Sequence, residues 1–225
     1  MAAADARALK RRIEAAIRRY AQASSSRAYS LVPNSLTSGK LYEAHVLSLV
    51  LERLYQDENF RIVLMNSTFV PLKSSPGPIN PAYPHFDLIR RSSKIAELWT
   101  DIEFLTLSYD RSGGLATPTP GDYHELDIVV VDPGSTGRPP HRSIWLGVEC
   151  KNTGYNKDLL RSILGVRREL SLLQDDRPTH FSKWPRQMVP ADPPSCLIVY
   201  STDSAVLSYT APGGVFGIDF FHEPI

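Results

Sequence analysis

The chain has 225 residues, 42% hydrophobic and 22% charged, the composition of a folded globular protein with room for a substantial core rather than of a disordered or fibrous one. Its formal net charge of +1 argues against tight, undirected binding along a duplex, although Arg7, Lys10, Arg11, Arg12, Arg18, Arg19 and Arg27 concentrate positive charge in residues 1–30 against only Asp5 and Glu14. No apolar run approaches the ~20 residues of a membrane span, and the N-terminus has neither a compact hydrophobic stretch nor a cleavage site, so a cytoplasmic location is expected.

From Asp5 to about Ala23, Leu9, Ile13, Ile17 and Tyr20 recur at helical spacing with arginines on the other face. This predicts a basic amphipathic helix within residues 1–30, its apolar stripe docked on the main body and its arginines facing solvent, nucleic acid or a partner. Residues 31–225 are read as one domain with an insertion at about 71–110. A second helix is expected from Thr37 or Ser38, whose hydroxyl caps a free N–H, to about Gln56. Leu41, Ala44, Leu47, Val50, Leu51 and Leu54 form its apolar face, with Glu43 and His45 near its start. Gly39-Lys40 is not a phosphate loop, because Asn34 stands where the first glycine is required and Leu41 where Ser or Thr is.

Arg61 to Val70 reads as a strand ended by Pro71 and a Ser/Pro/Gly stretch, residues 85–97 as a helix, 98–109 as a strand and 110–122 as a loop. Leu126 to Val131 and Ile144 to Cys150 are apolar, β-rich segments joined by a turn-rich connector, a hairpin with a long tip. A helix follows over about 157–174 with Leu159, Leu160, Ile163, Leu164, Val166, Leu170 and Leu173 on its buried side, then strands at 196–200 and 215–221. Cys150 and Cys196 both fall in such strands and suit a reducing compartment as buried hydrophobes. No Cys or Cys/His spacing fits a structural zinc, and no Gly-x-Ser-x-Gly elbow is present.

Strand alternation puts Glu149 and Lys151 on one face and Val148 and Cys150 on the other. A near-symmetrical hairpin sets Asp127 across from Glu149, with Cβ atoms about 5 Å apart. Two carboxylates so placed repel unless a cation lies between them, and oxygen ligands without imidazole or thiolate favour Mg2+ or Mn2+. A lysine beside that ion serves the attacking water and the pentacoordinate phosphorus centre, so the set points to phosphodiester hydrolysis.

Asp127, some twenty residues later Glu149-Cys150-Lys151, then a helix and another strand, resembles the PD-(D/E)xK nuclease superfamily. Glu43 in Leu41-Tyr42-Glu43-Ala44-His45 is similar to the glutamate of that superfamily's first core helix. The resemblance spans about 37–203 and implies an α/β, restriction-endonuclease-like core, a central mixed sheet flanked by helices, with the N-terminal helix added. It implies that Asp127 binds metal, Glu149 and the Cys150 carbonyl are further ligands, Lys151 serves the water, and Glu43 completes the site or holds a second ion. Leu126 replaces the motif's proline, and Glu125, on the same face as Asp127, competes as an outer ligand. Asn152, Lys157 and Arg161 are placed to meet a nucleic-acid backbone, and His124 to touch substrate or metal, unless it is a hydrogen-bonded structural residue. Tyr200, Tyr209 and Trp184 read as packing residues.

The activity so implied is a Mg2+-dependent endonuclease, with DNA ahead of RNA by fold analogy alone. No sequence-reading module accompanies it, so a homodimer or a partner protein is expected to supply targeting, in bacterial defence or DNA processing. The alternative is a catalytically inactive nuclease-fold subunit that binds nucleic acid or assembles with proteins through its basic helix and middle segment.

Overall fold

The structure is a computed structural model describing residues 3–23, 36–67, 75–114, 117–173, 180–181, 183–184 and 191–225. Its elements run α1 (Ala3–Tyr20), β1 (Ala21–Ala23), α2 (Ser38–Gln56), β2 (Arg61–Met65), β3 (His85–Arg90), β4 (Ser93–Leu105), α3 (Leu107–Arg111), β5 (Tyr123–Val131), β6 (Ile144–Lys151), α4 (Lys157–Leu170), β7 (Leu172–Leu173), β8 (Ala191–Asp192), β9 (Cys196–Ser201), α5 (Thr210–Val215) and β10 (Ile218–His222). An eight-stranded mixed sheet in the order β1-β2-β3-β4-β5-β6-β9-β10 forms the middle layer, and β7 and β8 pair separately. β2 to β6 are antiparallel neighbours, whereas β9 and β10 run parallel to β6 as crossovers through helices allow.

Because side chains alternate along a strand, the sheet feeds two cores. Ile128, Val130, Leu146, Val148 and Ile198 pack toward α1 and α2, while Val129, Val131, Leu197 and Val199 pack with Ile163 and Leu170 of α4 on the other face. The stripe on α1 docks as its spacing predicts: Leu9, Ile13, Ile17 and Tyr20 are buried, and the Tyr20 hydroxyl donates to Glu52 Oε1 at 2.5 Å. α4 buries a residue its pattern did not announce, Arg167, whose Nε donates to the Phe216 carbonyl at 2.8 Å and Nη1 to Ser195 Oγ at 2.9 Å.

The helix expected over 85–97 is instead the β3–β4 hairpin. Phe86, Leu88, Ala96 and Leu98 alternate into the α2-side core, and Arg91 and Ser92 turn the chain with φ of 49° and 68°, the double positive φ that matches the twist of paired strands. Arg-Ser is not the Asn-Gly that announces such a turn, and the tertiary burial of a two-residue period overrode the local reading. These strands lie within the segment read as an insertion, yet β4 is central in the sheet. Smaller differences follow the same logic: 107–111 is helical, α4 ends at Leu170, and the last strand is Ile218–His222 after a short helix. The expected strand end at 68–70 and the helix end at 174 lie outside the described residues. No helix among the described residues is long and apolar enough to cross a membrane.

Candidate active site

The sheet forks where the predicted residues sit. β5 and β6 are paired from Val131↔Ile144 to Ile128↔Val148, and there their ladder stops. Beyond it β5 continues with β4 to Tyr123↔Leu105, whereas β6 continues with β9 to Lys151↔Ser201. Asp127 and Glu149 are the first pair past the last rung, opposed as the hairpin argument requires. The Cys150 N–H, released from that ladder, donates to Asp127 Oδ2 at 2.6 Å, which ties the acid across the fork. Gly147, one step inside, permits the closeness of the strands: a Cβ there would lie 2.8 Å from Leu126 Cδ2.

A second irregularity brings in an acid that the sequence reading did not single out. In β4 Leu98 packs toward α2 but Ile102 toward α4, and in β5 Ile128 and Leu126 divide the same way, although residues an even number apart share a face in a regular strand. The change falls between the pairs Thr100↔Ile128 and Ile102↔Leu126, where Asp101 stands opposite Asp127 with φ of 53°. The carboxylates of Glu43, Asp101 and Asp127 consequently converge, their oxygens all within 4.8 Å of one another. Thr37 caps α2 by accepting the Lys40 N–H at 3.3 Å, and the first turns then aim Lys40 and Glu43 at the sheet. Lys40 Nζ lies 2.6 Å from Glu43 and 2.5 Å from Asp101. Burial opposes its charge, but the hydrogen bonds it donates to Asp101 and Glu43 outweigh this and raise its pKa.

Electrostatics join the helix side of the fork to the β6 side. Burial, helped by the Asp127 and Asp101 charges, pushes Glu43 up to about 7 against the Lys40 contact. Glu149 is buried, and desolvation followed by the Asp127 charge raises its pKa, with Lys151 opposing. Lys151 Nζ donates to Glu149 Oε2 at 2.6 Å. Burial works against the ammonium, but Glu149 and then Asp127 hold its pKa above that of an ordinary lysine. Lys151 thus keeps its proton while both carboxylates are charged. The Asp127 charge acts on Glu43 on one side and on Glu149 and Lys151 on the other.

The four predicted acids and bases therefore gather at one place, with a division within it: Glu43 and Asp127 stand with Asp101 and Lys40, while Glu149 stands with Lys151. The Cys150 thiol turns toward the α2-side core and burial raises its pKa, so sulfur is not a donor here. The remaining donors are hard oxygens, the donor type that Mg2+ and Mn2+ take. A cleft of 350 Å³ opens on the α4 side, lined by Glu103, Tyr123, His124, Glu125, Glu149, Lys151, Ser162 and Val166. His124 and Glu125 thus border the cleft, but neither belongs to the close acidic group. Asn152, Lys157 and Arg161 are exposed at the exit of β6 and the start of α4, Arg161 paired with Asp158 at 2.8 Å on the surface. Tyr200 and Trp184 are buried, as packing residues should be.

His85, Asp87 and Glu97 form another close group, but a lysine already stands among its carboxylates. Lys94 Nζ lies 2.7 Å from Glu97 and 3.3 Å from Asp87, and Trp99 Nε1 and the Gly134 N–H also donate to Glu97. It is an ion-pair cluster fastening the β3–β4 hairpin. No family model, curated protein or solved structure matches the chain, so the site stands on its own geometry.

Proposed function

We propose that the chain is a Mg2+- or Mn2+-dependent phosphodiesterase with a restriction-endonuclease-like core, an endonuclease acting on DNA ahead of RNA. The observation that carries the reading is the position of Asp127 at the fork: it meets Glu43 and Asp101 on one side and influences Glu149 and Lys151 on the other. A structural ion pair would not call for four acids around two lysines at a break in the sheet. The succession of a glutamate-bearing helix, the β5–β6 hairpin, α4 and a parallel β9 supports the nuclease-like build.

Asp127 and Glu149, with Glu43 or Asp101 behind them, would hold the ion. Bound there, it supplies Lewis acidity toward a phosphoryl oxygen and lowers the pKa of its water. Lys151 would then orient that water and balance charge at the phosphorus. The cleft admits the scissile phosphate from the α4 side, and Asn152, Lys157 and Arg161 would hold the flanking backbone. A second copy or a partner protein would supply target choice.

Supercoiled plasmid and single-stranded RNA incubated with the protein in Mg2+, Mn2+ or EDTA test this. Metal-dependent cleavage of either, lost in a folded Lys151→Ala variant, is expected. Intact plasmid and RNA under both metals would overturn the assignment.

A further inference from the structure

Most of the site's acids face the fork, but Lys40 faces them, and no role in phosphodiester hydrolysis has been given to it. Its ammonium sits between Glu43 and Asp101 at 2.6 and 2.5 Å, the distances of charge-assisted hydrogen bonds. Side-chain exposure is 20% for Lys40, 15% for Glu43 and 4% for Asp101, so solvent screens the contact only weakly. The ammonium is anchored at the start of α2, where the Thr37 cap fixes the backbone from which it projects.

We infer that Lys40 is a resident monovalent cation, occupying the helix side of the site in place of a second divalent ion, so that the site holds a single metal between Asp127 and Glu149. The inference rests on the metal-dependent reading above.

Charge and space lead to it. Glu43, Asp101 and Asp127 lie within 4.8 Å of one another, and the Asp127 charge also acts on Glu149, so four carboxylates share the fork. Lys151 compensates Glu149 from the β6 side, and Lys40 compensates Glu43 and Asp101 from the α2 side. Asp127 makes no direct ion pair with a lysine among the described residues: its Oδ2 takes the Cys150 N–H, a neutral donor, and Lys151 acts on it only at longer range. Two lysines against four carboxylates leave two negative charges, one on Asp127 and one shared by Glu43 and Asp101, which a single dication at Asp127 balances. A second dication beside Glu43 and Asp101 would have to displace an ammonium held by two carboxylates, and would otherwise meet like charge at contact distance. Lys40 thus divides a wide acidic basin into one part that it fills and one part open to metal. It also keeps Glu43 and Asp101 in place before metal arrives, acting as a positioning residue.

Binding stoichiometry tests this directly. The full chain is titrated with Mn2+, free ion being read by electron paramagnetic resonance and heat by calorimetry, for the wild type, Lys40→Ala, Lys40→Arg, and Lys40→Ala combined with Asp101→Asn. The wild type and Lys40→Arg should take up a single Mn2+. Lys40→Ala should take up a second, weaker one, lost again in the double variant. Circular dichroism certifies folding, and Lys40→Gln replaces Lys40→Ala should the latter not fold. Two ions on the wild type, or a single ion on folded Lys40→Ala and Lys40→Gln, would overturn the inference and leave the metal-dependent reading standing. No ion on the wild type would sink both.

Discussion

Replacing Glu43 by Gln separates a working metal ligand from a structural ion pair, because the two make opposite predictions about stability. The Glu43 carboxyl is raised from 4.5 to about 7 in the folded chain, burial being the largest cause and the Asp127 and Asp101 charges adding to it. A carboxyl whose folded pKa exceeds its unfolded value binds its proton more tightly when folded. Its stabilising contribution is full below about 4.5 and is lost as pH rises through about 7. The shift corresponds to about 3 kcal/mol at most, and to roughly 2 kcal/mol once partial solvent screening is allowed. Glu43→Gln removes the charge and nearly conserves shape, so at pH 8 without metal the variant should be more stable than the wild type by roughly 2 kcal/mol. That is a rise of about 4–8 °C in melting temperature for a chain of this size. At pH 4, where the wild-type carboxyl is protonated, the two should melt together. Differential scanning calorimetry at both pH values in EDTA reads the effect. Mg2+ should then raise the melting temperature of the wild type more at pH 8 than at pH 5.5, since burial also raises Glu149 to about 7 and the ion takes only ionised ligands. It should raise that of Glu43→Gln less, because the variant has one negative charge fewer beside the ion. A Glu43→Gln variant that is destabilised at pH 8 would show the Lys40–Glu43 contact to be an ordinary stabilising bridge and refute the reasoning.

Asp127→Asn should fold, keep an acceptor for the Cys150 N–H and lose at least about a hundredfold in cleavage rate. Asp127→Ala should in addition lose about 1–3 kcal/mol in denaturant unfolding, because that N–H is left unsatisfied; equal stability of the two variants would contradict the bond across the fork. Gly147→Ala places a methyl 2.8 Å from Leu126 Cδ2 and 3.2 Å from Leu197 Cδ1. It should cost about 1–3 kcal/mol in the same assay, since neighbours on both strands must move. Removal of residues 1–20 exposes the pocket that takes Leu9, Ile13, Ile17 and Tyr20. At about 1.5–3 kcal/mol for each side chain, the loss rivals the stability of a whole domain, so the truncated chain should be insoluble; a soluble form with an unchanged melting temperature would show α1 to be an appendage.

What the sequence disclosed of this site depended on how far each feature reaches along the chain. Glu149, Lys151 and Asp127 could be placed because strand alternation and a hairpin midpoint are local rules, and the register past Ile128↔Val148 sets the two acids opposite each other as those rules require. Glu43 could be picked out on its helix, but its partners on the sheet could not. Lys40 was weighed only as part of a failed phosphate-loop pattern, though a helix places residues three apart on one face, and its contact with Glu43 at 2.6 Å was within reach of that rule. Asp101 was beyond any such rule. In the regular alternation Thr-Asp-Ile-Glu-Phe makes it one more strand residue, and only its left-handed φ of 53°, a property of the folded pairing with Asp127, moves it to the α2 side.

The segment read as an insertion at about 71–110 supplies β3 and β4, and β4 lies next to β5 in the sheet. The strand expected over 98–109 already gives β5 a neighbour and brings Asp101 alongside Asp127; what the β3–β4 hairpin adds is β3, which carries the sheet on to β2 and β1. A buried acid at a strand break is costly unless charge is brought to it, and β4 here supplies a second acid rather than a base. The compensating charge comes from Lys40, on a helix that reaches the sheet from its other face. An arrangement that stabilised the fold alone would pair Asp101 with a base from β5, its immediate neighbour, instead of opposing it to another carboxylate and recruiting a lysine from α2. Carboxylates massed at a fork, with only part of their charge compensated, make physical sense when an outside cation completes the balance, and that requirement is what ties this fold to the chemistry proposed for it.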